Sequence, residues 1–127
     1  MTTGTEFLAQ SIHGYGVTHV FFVPMILAKT LAELDRLEVT SVSTHSELSA
    51  VYMADGYGRA ARRPGICMAQ AVGATNAAAG LRDAFLAGSP VICITGGPHP
   101  DFRYRHLYQQ VEDFSMFDSV TKLNVMV

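Results

Sequence analysis

Two apolar runs constrain the fold most, because neither shows the alternation of a half-exposed strand. "GICMAQAV" (65–72) and "SPVICITGG" (89–97) lie near glycine or proline, and each places apolar residues on both faces of a strand. Strands of this kind lie inside parallel sheets whose two faces are covered by helices. The two runs therefore predict an α/β protein.

Helical and strand-like segments alternate along the rest of the chain. This alternation is typical of a doubly wound α/β domain with a parallel sheet. Helices are predicted over 5–16, 26–37, 46–61 and 75–87, and further strands over 18–24, 38–44 and 121–127. We therefore expect residues 1–127 to form one such domain with five strands. Because no helix is predicted after the fifth strand, we expect either an unusually short domain or a piece of a longer chain.

The helix predicted over 46–61 carries an apolar stripe and ends in a basic cluster. Four residues at helical spacing should face the core, namely Ala50, Met53, Ala54 and Tyr57. The cluster Arg59, Arg62 and Arg63 is expected at the helix end, where cations complement the helix dipole.

Composition excludes several classes of function. The net charge of −2 gives no long-range attraction to nucleic acid or to an anionic membrane. No apolar run is long enough to span a bilayer, and the first residues lack a signal-peptide pattern, so we expect a cytoplasmic protein. Cys67 and Cys93 lie in apolar runs without Cys-x-x-Cys or clustered Cys/His spacing, which favours reduced core residues over a disulfide or a metal pair. Only 16% of residues are charged, which indicates a surface partly covered by a partner.

Glu47 is the first candidate functional residue. It follows the second predicted strand, and ligands of doubly wound sheets bind beyond the carboxyl ends of the strands. A structural alternative is a capping box, since Thr44-x-x-Glu47 has the spacing in which a hydroxyl and a carboxylate satisfy backbone donors at a helix start. The local sequence leaves both roles open.

The order of motifs around Glu47 resembles a known family. A strand, the glutamate, a helix ending "MADGYGR", the loop "GATN" (73–76) and the stretch "YQQVEDFSMFDSVTK" (108–122) follow one another. This order resembles the pyrimidine-binding domain of thiamine-diphosphate-dependent enzymes, most closely the group of acetolactate synthase, benzaldehyde lyase and 2-oxo acid decarboxylases. The family's residues recur at matching offsets from the glutamate, namely Ala50, Met53, Ala54, Gly56, Tyr57 and Arg59. The resemblance runs from the first helix to Lys122.

The resemblance implies a catalytic site. Glu47 would be the catalytic residue, because the family's glutamate shares a proton with a ring nitrogen of the cofactor's aminopyrimidine; glutamine could hold the ring but not exchange the proton. Cofactor-binding positions would be Pro24, Glu47, Gly73 and Asn76, and Gln109 would face the substrate. The implied reactions are carboligation or decarboxylation of 2-oxo acids by a transferase or lyase.

Structural alternatives stay open at these positions. Pro24 suits the end of a strand in either role. Gly73 allows close backbone approach or a positive φ. Asn76 could cap a helix beginning at Ala77, and Gln109 could be an ordinary polar loop residue.

Several departures from the family pattern favour a second hypothesis. Phe22 and Met25 stand where the family has glycine, Ser46 stands where it has histidine, and Ala71 and Val72 replace a Gly-Pro pair. Bulk at Met25 and Val72 would narrow the space near the cofactor, so the alternative is a degenerate, non-catalytic interaction module. An unrelated nucleotide-binding domain is disfavoured, because neither G-x-G-x-x-G nor G-x-x-x-x-G-K-[ST] follows any strand.

The family's second cofactor-binding motif is missing. The resembled enzymes bind the diphosphate through Mg²⁺ held by a G-D-G…N motif in a separate domain, and this chain has no such motif. We therefore expect no metal ligands in this chain and no activity of the chain alone. The expected partners are a diphosphate-binding domain or subunit and further copies in a dimer or larger homo-oligomer.

Overall fold

A parallel sheet of four strands organises the chain in the computed structural model, which describes residues 1–24, 27–97, 99–102, 105–111 and 114–127. The elements are α1 (Gly4–Gly14), β1 (His19–Phe22), α2 (Ala28–Arg36), β2 (Thr40–Ser43), α3 (Glu47–Ala61), β3 (Gly65–Gln70), α4 (Gly73–Ala87) and β4 (Val91–Gly96). Two short 3₁₀ helices follow at Pro100–Phe102 and Phe114–Phe117. The predicted doubly wound α/β class is confirmed.

The strands lie in the order β2-β1-β3-β4, and every pairing is parallel. In register, Phe21 of β1 pairs with Cys67 of β3, and Cys67 pairs with Cys93 of β4. Side chains alternate between the faces of a strand. Val20 and Met68 therefore enter the core on one face of the sheet, and Phe21 and Cys67 enter the core on the other.

Each face of the sheet has its own hydrophobic core. Ala9 and Ile12 of α1 and Leu34 of α2 pack against one face. The other core holds small side chains from α3 and α4, among them Ala50, Val51, Ala54, Ala74 and Ala77. Small residues let α3 and α4 approach the sheet closely, which explains the alanine content of both helices.

Helix ends follow from local chemistry. Thr3 and Glu6 form a capping box at the start of α1: the Thr3 hydroxyl accepts from the Glu6 amide at 3.2 Å, and the Glu6 carboxylate accepts from the Thr3 amide at 2.7 Å. After α1 the chain turns at Gly16 with φ of 72°, and Gly88, with φ of 65°, follows the last residue of α4. Glycine suits both positions because it adopts a left-handed backbone conformation without a steric clash. The helix predicted over 5–16 thus ends at Gly14, two residues before the glycine that turns the chain.

The predicted fifth strand is wrong. In the described structure residues 121–127 form no strand. The Asn124 side chain instead donates to the Phe114 carbonyl at 2.6 Å and to the Asp118 carboxylate at 3.1 Å. These bonds hold the segment against the second 3₁₀ helix, and Leu123, Val125 and Met126 stay exposed.

The predicted apolar stripe of α3 is right except at Met53, whose side chain is 48% exposed. The buried positions of α3 are Ala50, Val51, Ala54, Asp55 and Gly58. The buried face of α3 therefore consists of two rows of residues, 50, 54 and 58 in one and 51 and 55 in the other. Met53 lies next to this face and is exposed. Tyr57 is partly buried as predicted, and its hydroxyl accepts from the Thr18 amide at 3.0 Å.

The basic cluster has three different roles at the end of α3. Arg59 forms an ion pair with Asp55, with Nη2 2.8 Å from Oδ2. Arg62 adopts the left-handed conformation that ends the helix, and the Arg63 guanidinium donates to the Gly16 carbonyl. Arg59 lies in the last turn of α3, as expected for a dipole-complementing cation. No helix in the described part of the chain is long and apolar enough to cross a bilayer.

Candidate functional site

Glu47 is the first residue of α3 and lies just beyond the carboxyl end of β2, as predicted. The cap of α3 is Ser46, whose hydroxyl accepts from the Ser49 amide at 3.2 Å. Ser46 precedes the helix as its cap, so Glu47 is the first helical position and comes too early to complete a capping box. Its carboxylate is partly exposed at the edge of the sheet where the strands end.

The capping-box alternative, with Thr44 as the cap of α3, is wrong. Its buried hydroxyl lies 2.9 Å from the Ser46 carbonyl and 3.2 Å from the Phe22 carbonyl, and it donates toward both. The Thr44 amide also donates to the Phe22 carbonyl at 2.8 Å. Thr44 thus ties the end of β1 to the start of α3, and so it helps to position the residue that follows the cap.

The first turn of α4 lies directly against the Glu47 carboxylate. Asn76 Nδ2 donates to Glu47 Oε2 at 3.3 Å. A Cβ atom added to Gly73 would lie 2.5 Å from Glu47 Oε1. The described glycines with positive φ are Gly16 and Gly88, so Gly73 is needed for close approach and not for its backbone conformation.

Asn76 is not a helix cap, so that alternative is wrong. Helix α4 begins at Gly73, four residues earlier than a cap at Asn76 would require, and Val72 precedes it without a side-chain capping bond. The amide of Asn76 is used instead to bind Glu47 across the gap between two helices.

Gln109 reaches the same edge of the sheet through its backbone. Its carbonyl accepts from the Val72 amide at 3.3 Å, next to the start of α4. Its φ of 63° is uncommon for a residue with a side chain. The loop before α4 is also held to β4, since the Ala71 amide donates to the Gly96 carbonyl at 3.1 Å. The structure therefore brings Glu47, Gly73, Asn76 and the Gln109 segment together.

Pro24 is exposed and follows β1 at the same edge of the sheet. The preceding amide, of Val23, donates to the Met68 carbonyl at 3.2 Å, so the strand pairing ends just before the proline. This position fits both a strand-ending role and a ligand-facing role. Met25, and residues 112–113 of the motif-like stretch 108–122, lie outside the described residues.

The bulky residues that favoured a degenerate module differ in their placement. Phe22 packs against the core formed by α1 and α2, on the face of the sheet away from α3. Val72 is partly exposed and lies directly before Gly73. Of the two described residues, only Val72 is placed where its bulk would narrow the site.

One pair of hydrogen-bonded side chains between α3 and α4 was not indicated by any pattern in the sequence. The Tyr52 hydroxyl donates to Asp83 Oδ2 at 2.6 Å and so joins α3 to α4. This hydrogen bond raises the pKa of Tyr52 above its usual value. The residues are far apart in sequence, and only the packing of the two helices reveals the pair. Among the described residues, no three His, Cys, Asp or Glu side chains converge to hold a metal ion.

A partly exposed carboxylate at the carboxyl edge of a parallel sheet, held against the first turn of the next helix, defines a ligand-binding α/β domain of the doubly wound class. Residues 2–116 match the family model described as thiamine pyrophosphate enzyme, N-terminal TPP binding domain. The chain belongs to this family, and the resemblance found in the sequence is confirmed.

Relatives of the chain include acetolactate synthases. The chain is 31% identical to the acetolactate synthase of Bacillus subtilis (strain 168), over 98% of this chain and 22% of that protein. It is 32% identical to the chloroplastic acetolactate synthase 2 of Nicotiana tabacum, over 98% and 19%. It is 30% identical to the acetolactate synthase isozyme 1 large subunit of Escherichia coli (strain K12), over 98% and 23%. The chain therefore spans about a fifth of the length of these relatives.

Proposed function

We propose that residues 1–127 form the pyrimidine-binding domain of a thiamine-diphosphate-dependent transferase or lyase acting on 2-oxo acids, with Glu47 as its catalytic residue. The observation that carries the proposal is the placement of the Glu47 carboxylate. Asn76 binds one of its oxygens, and Gly73 leaves room for the other. The carboxylate is partly exposed at the edge where ligands of such sheets bind.

These residues fit an aminopyrimidine ring. The ring needs a carboxyl group that can share a proton with a ring nitrogen, and it needs space for a flat heterocycle. Glu47 supplies the carboxyl group, the missing side chain at Gly73 makes room for that carboxylate, and the partial exposure of Glu47 at the edge of the sheet leaves one side of it open to a ring. When bound, the cofactor supplies the carbon nucleophile that adds to a 2-oxo acid.

The chain's own residues hold and move the proton. Glu47 binds the ring nitrogen and exchanges a proton with it, as a general acid–base group does. Asn76 donates to Oε2 and so orients the carboxylate. Pro24 forms part of the wall for the ring at the end of β1, and Gln109 faces the substrate from the segment beside Val72.

The rest of the cofactor needs another domain. Diphosphate is highly charged, and binding it takes a metal ion or several donors. The described residues contain no metal cluster. We infer that Mg²⁺ is bound by a separate diphosphate-binding domain or subunit, that the assembly is a dimer or larger and cytoplasmic, and that the isolated chain is inactive.

The test is Glu47→Gln in an assembly of this chain with a compatible diphosphate-binding domain. The variant should stay folded and lose roughly 10²–10⁴-fold in pyruvate consumption with thiamine diphosphate and Mg²⁺, because glutamine retains a hydrogen bond and loses the exchangeable proton. Glu38→Gln is the matched control, since Glu38 is an exposed glutamate in the turn before β2. Cofactor binding is measured separately by calorimetry.

Two results would contradict the proposal. Unchanged turnover per folded molecule in Glu47→Gln would leave Glu47 with a structural role. A wild-type assembly that binds thiamine diphosphate and consumes no 2-oxo acid would support the alternative, a non-catalytic module, for which the exposed Val72 beside Gly73 is the structural argument.

A further inference from the structure

The two cysteines, 26 residues apart in sequence, are neighbours in the sheet. Cys67 of β3 and Cys93 of β4 are register partners on adjacent parallel strands. Cys67 belongs to the core beneath α3 and α4, and Cys93 packs against that core. Their side chains therefore project from the same face of the sheet. Both thiols are free, and neither has a role in the proposed cofactor site.

The positions of the two backbones allow a disulfide. Neighbouring strands lie about 4.7–4.9 Å apart, and disulfides join residues whose Cα atoms are about 4.4–6.8 Å apart. Side chains of register partners stand nearly parallel, so their Cβ atoms stay about one strand spacing apart, wider than the mean of about 3.8 Å in relaxed disulfides. A bond formed here would be strained, and strained disulfides are the easily reduced ones.

Access to the pair comes through Cys93. Cys67 is 1% exposed, whereas Cys93 is partly exposed on β4, an edge strand of the described sheet. The Cys67 thiol donates to the Ile92 carbonyl at 3.7 Å. The neighbouring Cys93 thiol and burial raise the pKa of Cys67, and the neighbouring Cys67 thiol lowers the pKa of Cys93. Because the thiolate is the reactive form, Cys93 is the thiol that an oxidant meets first.

We propose that Cys67 and Cys93 form a reversible intramolecular disulfide on exposure to hydrogen peroxide. The Cys93 thiolate attacks one peroxide oxygen, the O–O bond breaks, hydroxide leaves, and Cys93 becomes a sulfenic acid. The Cys67 sulfur then attacks the Cys93 sulfur, the S–O bond breaks, and the Cys67 proton leaves with the oxygen as water. In total, two thiols lose two electrons and two protons, and one peroxide becomes two waters.

The bond would link β3 to β4 three residues before Gln70, where β3 ends. It would act on the strands that carry the loop before α4. The proposal does not depend on the cofactor or on the identity of the substrate.

The experiment exposes the 127-residue chain to hydrogen peroxide, removes the excess with catalase, denatures the protein and alkylates the remaining thiols. Trypsin then separates the cysteines, because cleavage at Arg62, Arg82 and Arg103 places them in peptides 63–82 and 83–103. We expect loss of both alkylated thiols, a cross-linked pair of these peptides within one chain, and recovery of both thiols with dithiothreitol.

Single alanine variants test the order of attack. Cys67→Ala should leave Cys93 as a sulfenic acid that dimedone traps, and Cys93→Ala should leave Cys67 open to alkylation after the same exposure. The proposal is overturned if the wild type keeps both thiols, forms only higher acids or links separate chains. It is also overturned if Cys67 reacts in Cys93→Ala as fast as Cys93 does in Cys67→Ala.

Discussion

The absence of a side chain at Gly73 determines where the Glu47 carboxylate can lie in the candidate site. In Gly73→Ala the new Cβ would meet Glu47 Oε1 at 2.5 Å, so the carboxylate must move. Because the clash involves the end of a flexible side chain, and alanine favours a helix by about 1 kcal/mol over glycine, we expect little change in stability. Turnover of the assembled enzyme should fall at least tenfold, measured as pyruvate consumption beside urea unfolding. Wild-type turnover in Gly73→Ala would show that the orientation of the carboxylate is unimportant.

A side chain at Gly65 should be tolerated less well than one at Gly73, because the atoms nearest to the new Cβ belong to the backbone. A Cβ there would lie 1.9 Å from the Ala54 carbonyl oxygen of α3. Gly65→Ala should therefore push α3 from the sheet and cost about 3 kcal/mol of unfolding free energy or more. Gly56→Ala is the matched control on α3, since a Cβ at Gly56 meets nothing within 4 Å. The control should raise stability by about 0.5–1 kcal/mol. Similar effects of the two substitutions in urea unfolding would refute this packing.

The sequence predicted the candidate site correctly only where the order of strands and helices along the chain determines where a residue lies. Glu47 follows a strand, and its placement at the sheet edge was correct. Thr44 and Ser46 both fit a helix cap, and the choice depends on which residue ends β2, a boundary that sequence patterns do not resolve. The approach of Asn76 to Glu47 depends on how α3 and α4 pack, and no local pattern contains that information.

At the scale of elements, α3 carries a buried acid whose charge is balanced within the helix. Burial by itself would raise the pKa of Asp55, but the hydrogen bonds from Arg59 and Ser89 and the charge of Arg59 together hold it below its usual value. A carboxyl group with a lowered folded-state pKa stabilises the fold above its unfolded pKa of about 3.9. That stabilisation is lost as the pH falls through the lower, folded-state pKa.

Arg59→Ala should therefore destabilise the protein in a pH-dependent way. At pH 7 we expect a lower free energy of unfolding than in wild type, because the buried carboxylate loses its charged donor. The difference from wild type should shrink as the pH falls below about 4, where Asp55 takes up a proton in the unfolded chain, and it should be lost once the pH passes the lower, folded-state pKa of Asp55. Urea unfolding at several pH values measures this. In an Asp55→Asn background, Arg59→Ala should lower the free energy of unfolding by less. A loss of unfolding free energy that is the same at every pH would contradict the pairing of Arg59 with Asp55.

Strands and helices were predicted correctly from the sequence where burial gives a clear apolar pattern, such as the continuous apolar runs of strands that are buried on both faces. All four strands and four long helices lie where the apolar runs and helical spacing placed them. The run 121–127 has the composition of a strand, but composition does not say whether a partner edge is within reach, and Asn124 holds the segment elsewhere. Met53 was misplaced because the apolar positions of α3 allow more than one stripe.

At the scale of the whole molecule, α3 and α4 present large apolar side chains outward. Tyr52, Met53, Phe85 and Leu86 are all exposed, Leu86 by 67%. We expect the chain to associate through this surface, because exposed apolar patches mark contact sites. Met53→Glu should weaken association at least tenfold, or about 1.4 kcal/mol.

Sedimentation equilibrium measures that association. Phe7→Glu is the matched control, since Phe7 is also an exposed apolar residue and lies on α1, across the sheet from α3. The control should associate as wild type does. A wild-type chain that stays monomeric at high concentration would refute the surface, and so would equal weakening by both substitutions.

The strand order has a consequence for biosynthesis. Strand β1 lies between β2 and β3 and is made before both, so it gains its second neighbour only when Gln70 has been made. At about 5–20 residues per second, the 51 residues that follow His19, up to Gln70, take roughly 3–10 seconds. For that time Val20 and Phe21, later buried on opposite faces, have no completed sheet to enter. The nascent chain is then most exposed to chaperones and to aggregation.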